Sequence, residues 1–500
     1  MAARSLREDM REIEGAIAVL PVEGVPGKPI TVIGTRAIRE QFDETCLQQA
    51  VNSRRAPGVT DIVLNPDAHL GFGAPVGCVL VSPTHVYPGP VGVDIKCSMS
   101  LLQLDLPERE IQDRKVRRQL IREISQRIPT GVGRGEREAP KSRRAGTPVA
   151  RRAVVEGASA EVCKALGIPP QWAERCEDSH HFGHDGTRAA LDARLEEVAG
   201  EFGEKRLTTT FRQLGSYGGG NHFGEGEVVR VVPEARAQEI AAQFGLIDGG
   251  IAFLSHCGSR GFGHDLAQHQ FRSLQALFAK RKTPLPAGDR ELVFAELETP
   301  EANRYLDDMA LGANFATLNH LLINALVLEA FQEVLPGVQG RLVYFISHNI
   351  ARREQVDGRP AWVHRKGATR AFPAGHPELK TTPFAQTGHP ILLPGNPLSG
   401  SAVMVAEPGA SLSRFSVNHG AGRALGRRNA IRTLDQAAID RELAEADVLT
   451  NCRSYPRDEA PAAYKSFEEV LRSVKEARLA REVARLQAKF VLKDGAPADD

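Results

Sequence analysis

Metal-type and nucleophilic side chains recur in five separate short stretches of this chain, four of them containing glycine: GVDIKC (Asp94, Cys97), GGGNHFGE (Asn221, His222, Glu225), SHCGSRGFGH (His256, His264), SHN (His348) and NHGAGR (His419). Neither the period of a helix nor that of a strand generates such a set. A fold that accounts for it must bring widely separated loops to one point. A polynuclear metal site assembled from distant loops is the first reading of these residues.

The 500 residues, 42% of them hydrophobic, can bury a large core, and length alone suggests roughly two to four domains. Lys+Arg 63 against Asp+Glu 62 leaves a formal charge of +1, so any nucleic-acid affinity must come from a local basic patch. Seven cysteines without a CxxC pair disfavour a disulfide framework or a zinc ribbon and suit a reducing compartment. MAARSLREDMREIEGAIAVL lacks the apolar core of a signal peptide, and no apolar run approaches the ~18 residues of a membrane span. A cytoplasmic location without a membrane partner is expected.

Residues 1–24 read as an appended helix or strand, and 59–106 as short β-branched strands between Gly/Pro turns. A basic amphipathic helix is expected over 107–126, and an exposed loop rich in Arg, Gly and Pro over 130–156. Helical patterns cover 188–204, 234–245, 264–281 and 302–335, while 251–256 and 341–348 look like buried strands that each deliver a histidine. Residues 356–431 are turn-rich with short strands, and 465–490 read as a last amphipathic helix before an FVLKD segment and a polar tail. There is no internal repeat.

Cysteine as thiolate is a soft ligand able to bridge two metals, and Asp94 adds a hard oxygen, a mixture suited to Mn²⁺, Zn²⁺ or Fe²⁺. A buried cysteine alone more often packs as a small hydrophobe, but three histidines in similar company change the balance. Gly218 to Gly220 ahead of Asn221 and His222 let backbone N–H groups approach a phosphate or nucleotide, and Glu225 suits a sugar hydroxyl or base edge. Arg260, between Ser259 and Gly261, offers a planar fork to phosphate or carboxylate. His264 or Asp265 could equally cap a helix. His348 and Asn349 end an apolar strand, where an unpaired imidazole is costly. His419 sits beside Arg423 with no carboxylate near it in sequence, which suits a nucleophile on phosphorus or, alternatively, another metal ligand. No GxxxxGK[ST] phosphate loop, HExxH or KxDG is present.

The collinear set PDAHLGFGAPVG (66–77), GVDIKC (92–97), GGGNHFGE (218–225), HCGSRGFGH (256–264), SHN (347–349), HRKGATRA (364–371), LPGNPLSGS (393–401), NHGAGR (418–423), DEAPAAYK (458–465) and VLK (491–493) resembles the RtcB family of GTP-dependent RNA ligases. The resemblance implies an α+β fold, with β-sheets flanked by helices around a central metal and nucleotide cleft. It implies one catalytic domain over 25–495, including the 107–156 helix and loop, after a 1–24 extension and before a 496–500 tail. It further implies two Mn²⁺ ions, with Cys97 bridging, Asp94 and His222 completing one, and His256 and His348 the other. GTP contacts would fall on Asn221, His222, Phe223, Gly224, Glu225, His348, Asn349, Pro394, Gly395, Asn396, Pro397, Ser401, His419, Gly420, Ala421, Gly422 and Lys493, with Arg260 and Arg423 on phosphate or RNA.

By the same resemblance, His419 would take the guanylyl group of GTP and pass it to an RNA 3′-phosphate, opened first if it arrives as a 2′,3′-cyclic phosphate. A 5′-hydroxyl would then seal the strand. The implied setting is RNA repair or tRNA splicing, and an archease-type activating protein is a possible partner. The basic segment 114–153 would hold RNA backbone or be a solvated insertion. Three positions depart from the family's pattern. Lys96 replaces a glycine and is expected to repel a metal or contact a phosphate; Asn396 and Pro397 enter the nucleotide loop; and Gly426 and Arg427 follow HGAGR where a serine-arginine pair is usual. A metal-dependent phosphodiesterase or cyclic-phosphate hydrolase, and a non-catalytic RNA-binding paralogue, are the alternative functions.

Overall fold

Apolar and β-branched runs build two large sheets. In the computed structural model, residues 5–131 and 146–495 are described. One sheet has seven strands in the order Arg11–Glu14, Ile17–Leu20, Ile30–Ile33, Asp61–His69, Val76–Ser82, Arg359–Lys366, Asn349–Val356. All its pairings are antiparallel except that of Ile30–Ile33 with Asp61–His69. The segment expected as an N-terminal extension thus supplies the sheet's edge. The second sheet runs Gly340–Ser347, Ser98–Pro107, Gly250–Cys257, Phe223–Val231, Ala480–Lys493, Gly400–Ala406, Pro390–Asn396, with Leu449–Thr450 added alongside Ala480–Lys493. With helices packed on the sheets, the fold is α+β.

The sequence GIAFLSHC shows why the second sheet is central: every residue of Gly250–Cys257 is buried. Side chains alternate along a strand. Ile251 and Phe253 accordingly join the core beneath the helices, and Ala252 and Leu254 the core on the opposite face. The helical side is dominated by Pro300–Val334, started by Thr299, whose side chain accepts from Ala302 N, with Pro300 in the first turn. This helix is long and apolar enough over 18 residues to cross a membrane, but 94% of that window is buried inside the protein. It is a core helix.

Two expected elements differ. Thr147–Glu156 is a helix that buries Ala150, Ala153, Val154 and Val155, although 130–156 was read as loop; the small apolar residues at helical spacing were outweighed by the Arg, Gly and Pro before them. The rest of that loop, 132–145, and the 496–500 tail lie outside the described residues. At the C-terminus the helix stops at Phe467–Glu476, and Ala480–Lys493 is a strand of 14 residues. Its half-polar sequence AREVARLQAKFVLK imitates a helix because charged residues occupy positions open to solvent.

Polar residues inside the Pro300–Val334 helix tie it to the loops above. Asn319 Oδ1 accepts from Gly215 N (2.7 Å) and Ser216 N (3.2 Å), while Nδ2 donates to Ser216 O (3.2 Å) and Gly258 O (3.1 Å). The amide is fully buried. Asn319→Leu would strand these backbone groups in a dry environment, at a cost of about 3 kcal/mol. A clear fall in the denaturant midpoint is expected; an unchanged midpoint would show that the clamp contributes nothing.

Candidate metal centre and nucleotide cleft

Four neighbouring strands of the second sheet bring their ends to one edge. Because they are antiparallel, the end of one lies beside the start of the next. Ser347 pairs with Ser98, Met99 with His256, and His256 with Phe223. His348, Cys97, His256 and His222 therefore stand side by side across the strands, and Asp94 completes the set from the loop ahead of Cys97. Residues 347–349 also carry the chain from the second sheet into the first.

Two groups emerge, Asp94–Cys97–His222 and Cys97–His256–His348, each with ligand atoms within 4.8 Å of one another. Cys97 is common to both. His222 Nδ1 is fixed by Tyr217 O (2.8 Å), and His256 Nδ1 by Asn221 O (3.0 Å). Their Nε2 atoms thus face the cluster, at 3.6 Å and 3.2 Å from Cys97 Sγ. His256 Nε2 also lies 3.3 Å from His348 Nε2, and His348 Nδ1 is buried without a hydrogen-bond partner among the described residues. A mixed thiolate, imidazole and carboxylate set with an orphaned buried nitrogen fits divalent cations. Gly258 permits the crowding, since a Cβ there would lie 2.2 Å from Asp94 Oδ1.

Charge follows burial. Burial opposes ionisation of Asp94, but His222, Cys97 and Arg260 outweigh it and hold the carboxyl well below its usual range. Burial, with Asp94 adding to it, pushes the Cys97 thiol far up. Burial lowers His256 and His348 well below the ordinary imidazole value, so both imidazoles are neutral. His222 is raised despite burial, through Cys257 and its bond to Asp94.

His419 follows a short strand, Ser416–Asn418, paired with Ala368–Arg370. Its ring lies 4.6 Å from that of His348. Nδ1 meets Asp67 Oδ2 at 2.7 Å and Gly367 O at 2.9 Å. Two acceptors at Nδ1 place the proton there and leave Nε2 as the lone-pair nitrogen. Asp67 is fully buried, and Lys465 Nζ grips the carbonyls on either side of it, Pro66 O (3.0 Å) and Ala68 O (2.7 Å). Gly422, at φ +75°, passes so close that a Cβ would sit 2.3 Å from Asp67 O.

These groups open into a cleft of about 960 Å³. Of the expected nucleotide residues, Asn221, Phe223, His348, Asn349, Pro394, Gly395, His419, Gly420, Ala421 and Gly422 line it, with Arg423. Others stand behind it. Lys493 Nζ lies 5.4 Å over the Phe223 ring and bonds Glu459 Oε2 at 3.0 Å. Gly224 and Glu225 continue the strand, and burial, eased by Lys493, moves the Glu225 carboxyl up to about 7. Ser401 is buried beside Glu227. Asn396 Oδ1 closes its own turn by accepting from Leu398 N and Ser399 N, with Pro397 inside that turn. Arg423 is paired with Glu459 at 3.2 Å and Arg260 bonds Ser216 Oγ at 3.2 Å. His264 is exposed on the Arg260–Arg281 helix, away from the ligand set.

Lys96 corrects an expectation. Its side chain turns away from the cluster, and Nζ bonds Asp178 O, His181 Nε2 and Thr317 Oγ1, each at 2.8 Å. It is fully buried and does not line the cleft that holds His419 and the cluster. Sequence reasoning missed Asp67, Lys465 and Glu459. All three lie in motifs quoted above, but their partners are far away in sequence.

An α+β protein with two groups of candidate metal ligands that share Cys97, and a histidine facing them, is the class these features define. Comparison narrows the class. The family model described as tRNA-splicing ligase RtcB matches residues 49–494. The chain is 33% identical over 484 residues to a protein of Thermococcus kodakarensis named tRNA-splicing ligase RtcB, covering 94% of this chain and 95% of the relative. It is 33% identical over 507 residues to the Nanoarchaeum equitans protein of the same name, covering 97% and 99%. It is 32% identical over 450 residues to the RNA-splicing ligase RtcB of Mycobacterium bovis, covering 88% and 98%. The chain belongs to the RtcB family.

Cys97 and His222 both carry raised proton affinities, so a cation entering the set displaces protons and binds more tightly as pH rises. Each released proton contributes about tenfold per pH unit. Titration with Co²⁺ between about pH 6 and about pH 8 should show this dependence together with thiolate-to-metal absorption. Cys97→Ala should abolish the absorption and lower the pH slope by about one. A pH-independent affinity would contradict the assignment.

Proposed function

We propose that this protein is an RNA ligase that joins RNA 3′-phosphate or 2′,3′-cyclic phosphate ends to 5′-hydroxyl ends through a guanylylated His419, in RNA repair or tRNA splicing. The observation that carries the reading is the Asp67–His419 pair facing the ligand cluster. Asp94, Cys97 and His222 would hold one Mn²⁺ and Cys97, His256 and His348 the other. When bound, the ions supply charge neutralisation to the triphosphate and its pyrophosphate leaving group.

His419 Nε2 forms the bond to the α-phosphorus of GTP as the bond to pyrophosphate breaks. The Nδ1 proton stays in place, and Asp67 stabilises the positive charge that develops on the ring. Lys465 positions Asp67 by fixing the backbone around it. The guanylyl group then passes to an RNA 3′-phosphate, and a 5′-hydroxyl attacks the activated phosphate with loss of GMP. Phe223 and Pro394 offer apolar contact to the nucleotide, and Asn221 and Asn349 offer polar groups. Glu225 and Lys493 support the Phe223 end of the cleft.

Incubation with MnCl₂ and α-labelled GTP, followed by a denaturing gel with an ATP lane, tests the reading. An acid-labile label from GTP alone is expected, absent in His419→Ala and formed about 100-fold more slowly in Asp67→Asn. Cyclic-phosphate hydrolysis with metal alone, independent of GTP and His419, would transfer the protein to the hydrolase reading. Retained repair by Cys97→Ala would exclude catalysis at this centre.

A further inference from the structure

The Arg114–Arg127 helix starts at Asp113, whose side chain accepts from Lys115 N at 2.8 Å. Leu120 and Ile124 face the core. The exposed face carries Arg114, Lys115, Arg118, Gln119 and Arg122. Arginines at i, i+4 and i+8 stack along one side at a rise of about 6 Å per step. This face forms one wall of an open groove of about 1110 Å³, whose other walls are the Gln436–Glu445 helix and residues 448–453.

The groove is lopsided in charge. Among the described residues Arg114, Lys115, Arg118, Arg122 and Arg453 line it against one carboxylate, Asp440, and that carboxylate already accepts from Tyr455 N (2.9 Å) and Gln436 Nε2 (3.1 Å). Arg114 is paired with Asp447 at 2.5 Å, whereas Arg118 and Arg122 make no ion pair among the described residues. With a whole-chain charge of +1, such concentration on one face is a local field rather than a general property.

The groove is also bonded to the centre at two points. Gly131 N donates to Gly218 O (2.9 Å) and Tyr217 N to Pro129 O (3.0 Å), on the loop whose Tyr217 O fixes His222. Asn451 exchanges two bonds with the Lys493 backbone, at 2.8 Å and 2.9 Å.

We propose that this groove binds the phosphodiester backbone of the RNA substrate and leads it to the metal centre. RNA as substrate rests on the ligase reading above. The lining distinguishes backbone from other occupants. Its described residues include no aromatic side chain, so they offer no platform for stacked bases. The exposed large hydrophobics of the described residues all lie elsewhere, and Ile121, Leu443, Val448 and Leu449 in its lining are buried, so these residues present no protruding apolar anchor of the kind protein partners use. Guanidinium groups, Gln119, Thr130 and Asn451 instead suit phosphate and ribose oxygens. Binding is therefore salt-dependent and indifferent to sequence.

The test is fluorescence anisotropy of a labelled 3′-phosphate RNA against salt, for the full chain and for Arg118→Gln/Arg122→Gln, with GTP labelling measured in parallel. Both positions are exposed, so the variant should fold, and its melting temperature checks this. Loss of two phosphate contacts is expected to lower the log–log salt slope by about 1.4 for single-stranded RNA. The KM for RNA should rise about tenfold, with label formation from GTP unchanged. An unaltered slope and affinity would overturn the proposal. So would tighter binding of polyglutamate than of RNA, lost in the variant, which would mark the groove as a site for an acidic protein. If the unaltered chain takes no label from GTP yet shows the slope change, the ligase reading fails while the groove stands.

Discussion

Antiparallel register is the constraint on which the centre depends. Ligands spread through the chain meet because Gly340–Ser347, Ser98–Pro107, Gly250–Cys257 and Phe223–Val231 are consecutive neighbours that alternate in direction. A shift of one residue in any of these pairings would turn a ligand from the cleft into the core. The register is held by strands buried on both faces: Ile251 and Phe253 under one core, Ala252 and Leu254 under the other. Precision at the metal centre is thus a property of the hydrophobic interior.

The same burial creates the electrostatic demand. Five donor side chains in a dry pocket cannot all be charged alike. The protein resolves this by leaving His256 and His348 neutral and the Cys97 thiol protonated, and by pairing His222 with Asp94. A second interior pair fixes the His419 ring: Asp67 is excluded from solvent and has His419 at 2.7 Å. Lys465 provides its fixed surroundings, and burial lowers that ammonium group to about 8, working against the two carbonyls and the Phe42 ring that favour the charged form.

The residues that gather at the cluster were legible because Cys, His and Asp in short loops are residue types that local structure alone does not call for. His256 and His348 could even be positioned at strand ends from IAFLSH and RLVYFISH. Asp67 was not legible as the partner of His419, since nothing near NHGAGR hints at a carboxylate 352 positions away. Glu459 was hidden for a similar reason. It gathers Arg423, Arg427 and Lys493 from separate segments, and no periodicity records such a meeting. The Ala480–Lys493 strand was misread as helix because its polar positions face partly exposed surroundings, where the two-residue period is blurred.

Lys96 shows how a family position can change its residue without changing the centre. Its φ of 54° is left-handed, a conformation that costs a residue with a Cβ roughly 1–2 kcal/mol more than glycine. Burial adds to this and lowers the ammonium to about 8. Against both stand three hydrogen bonds and the nearby carboxylates of Asp178 and Glu177, which Arg370 and Arg352 balance in turn. Nζ reaches Thr317 in the long helix, Asp178 O and His181. A cation next to Cys97 and two residues from Asp94 therefore acts as a strut between their loop and the core.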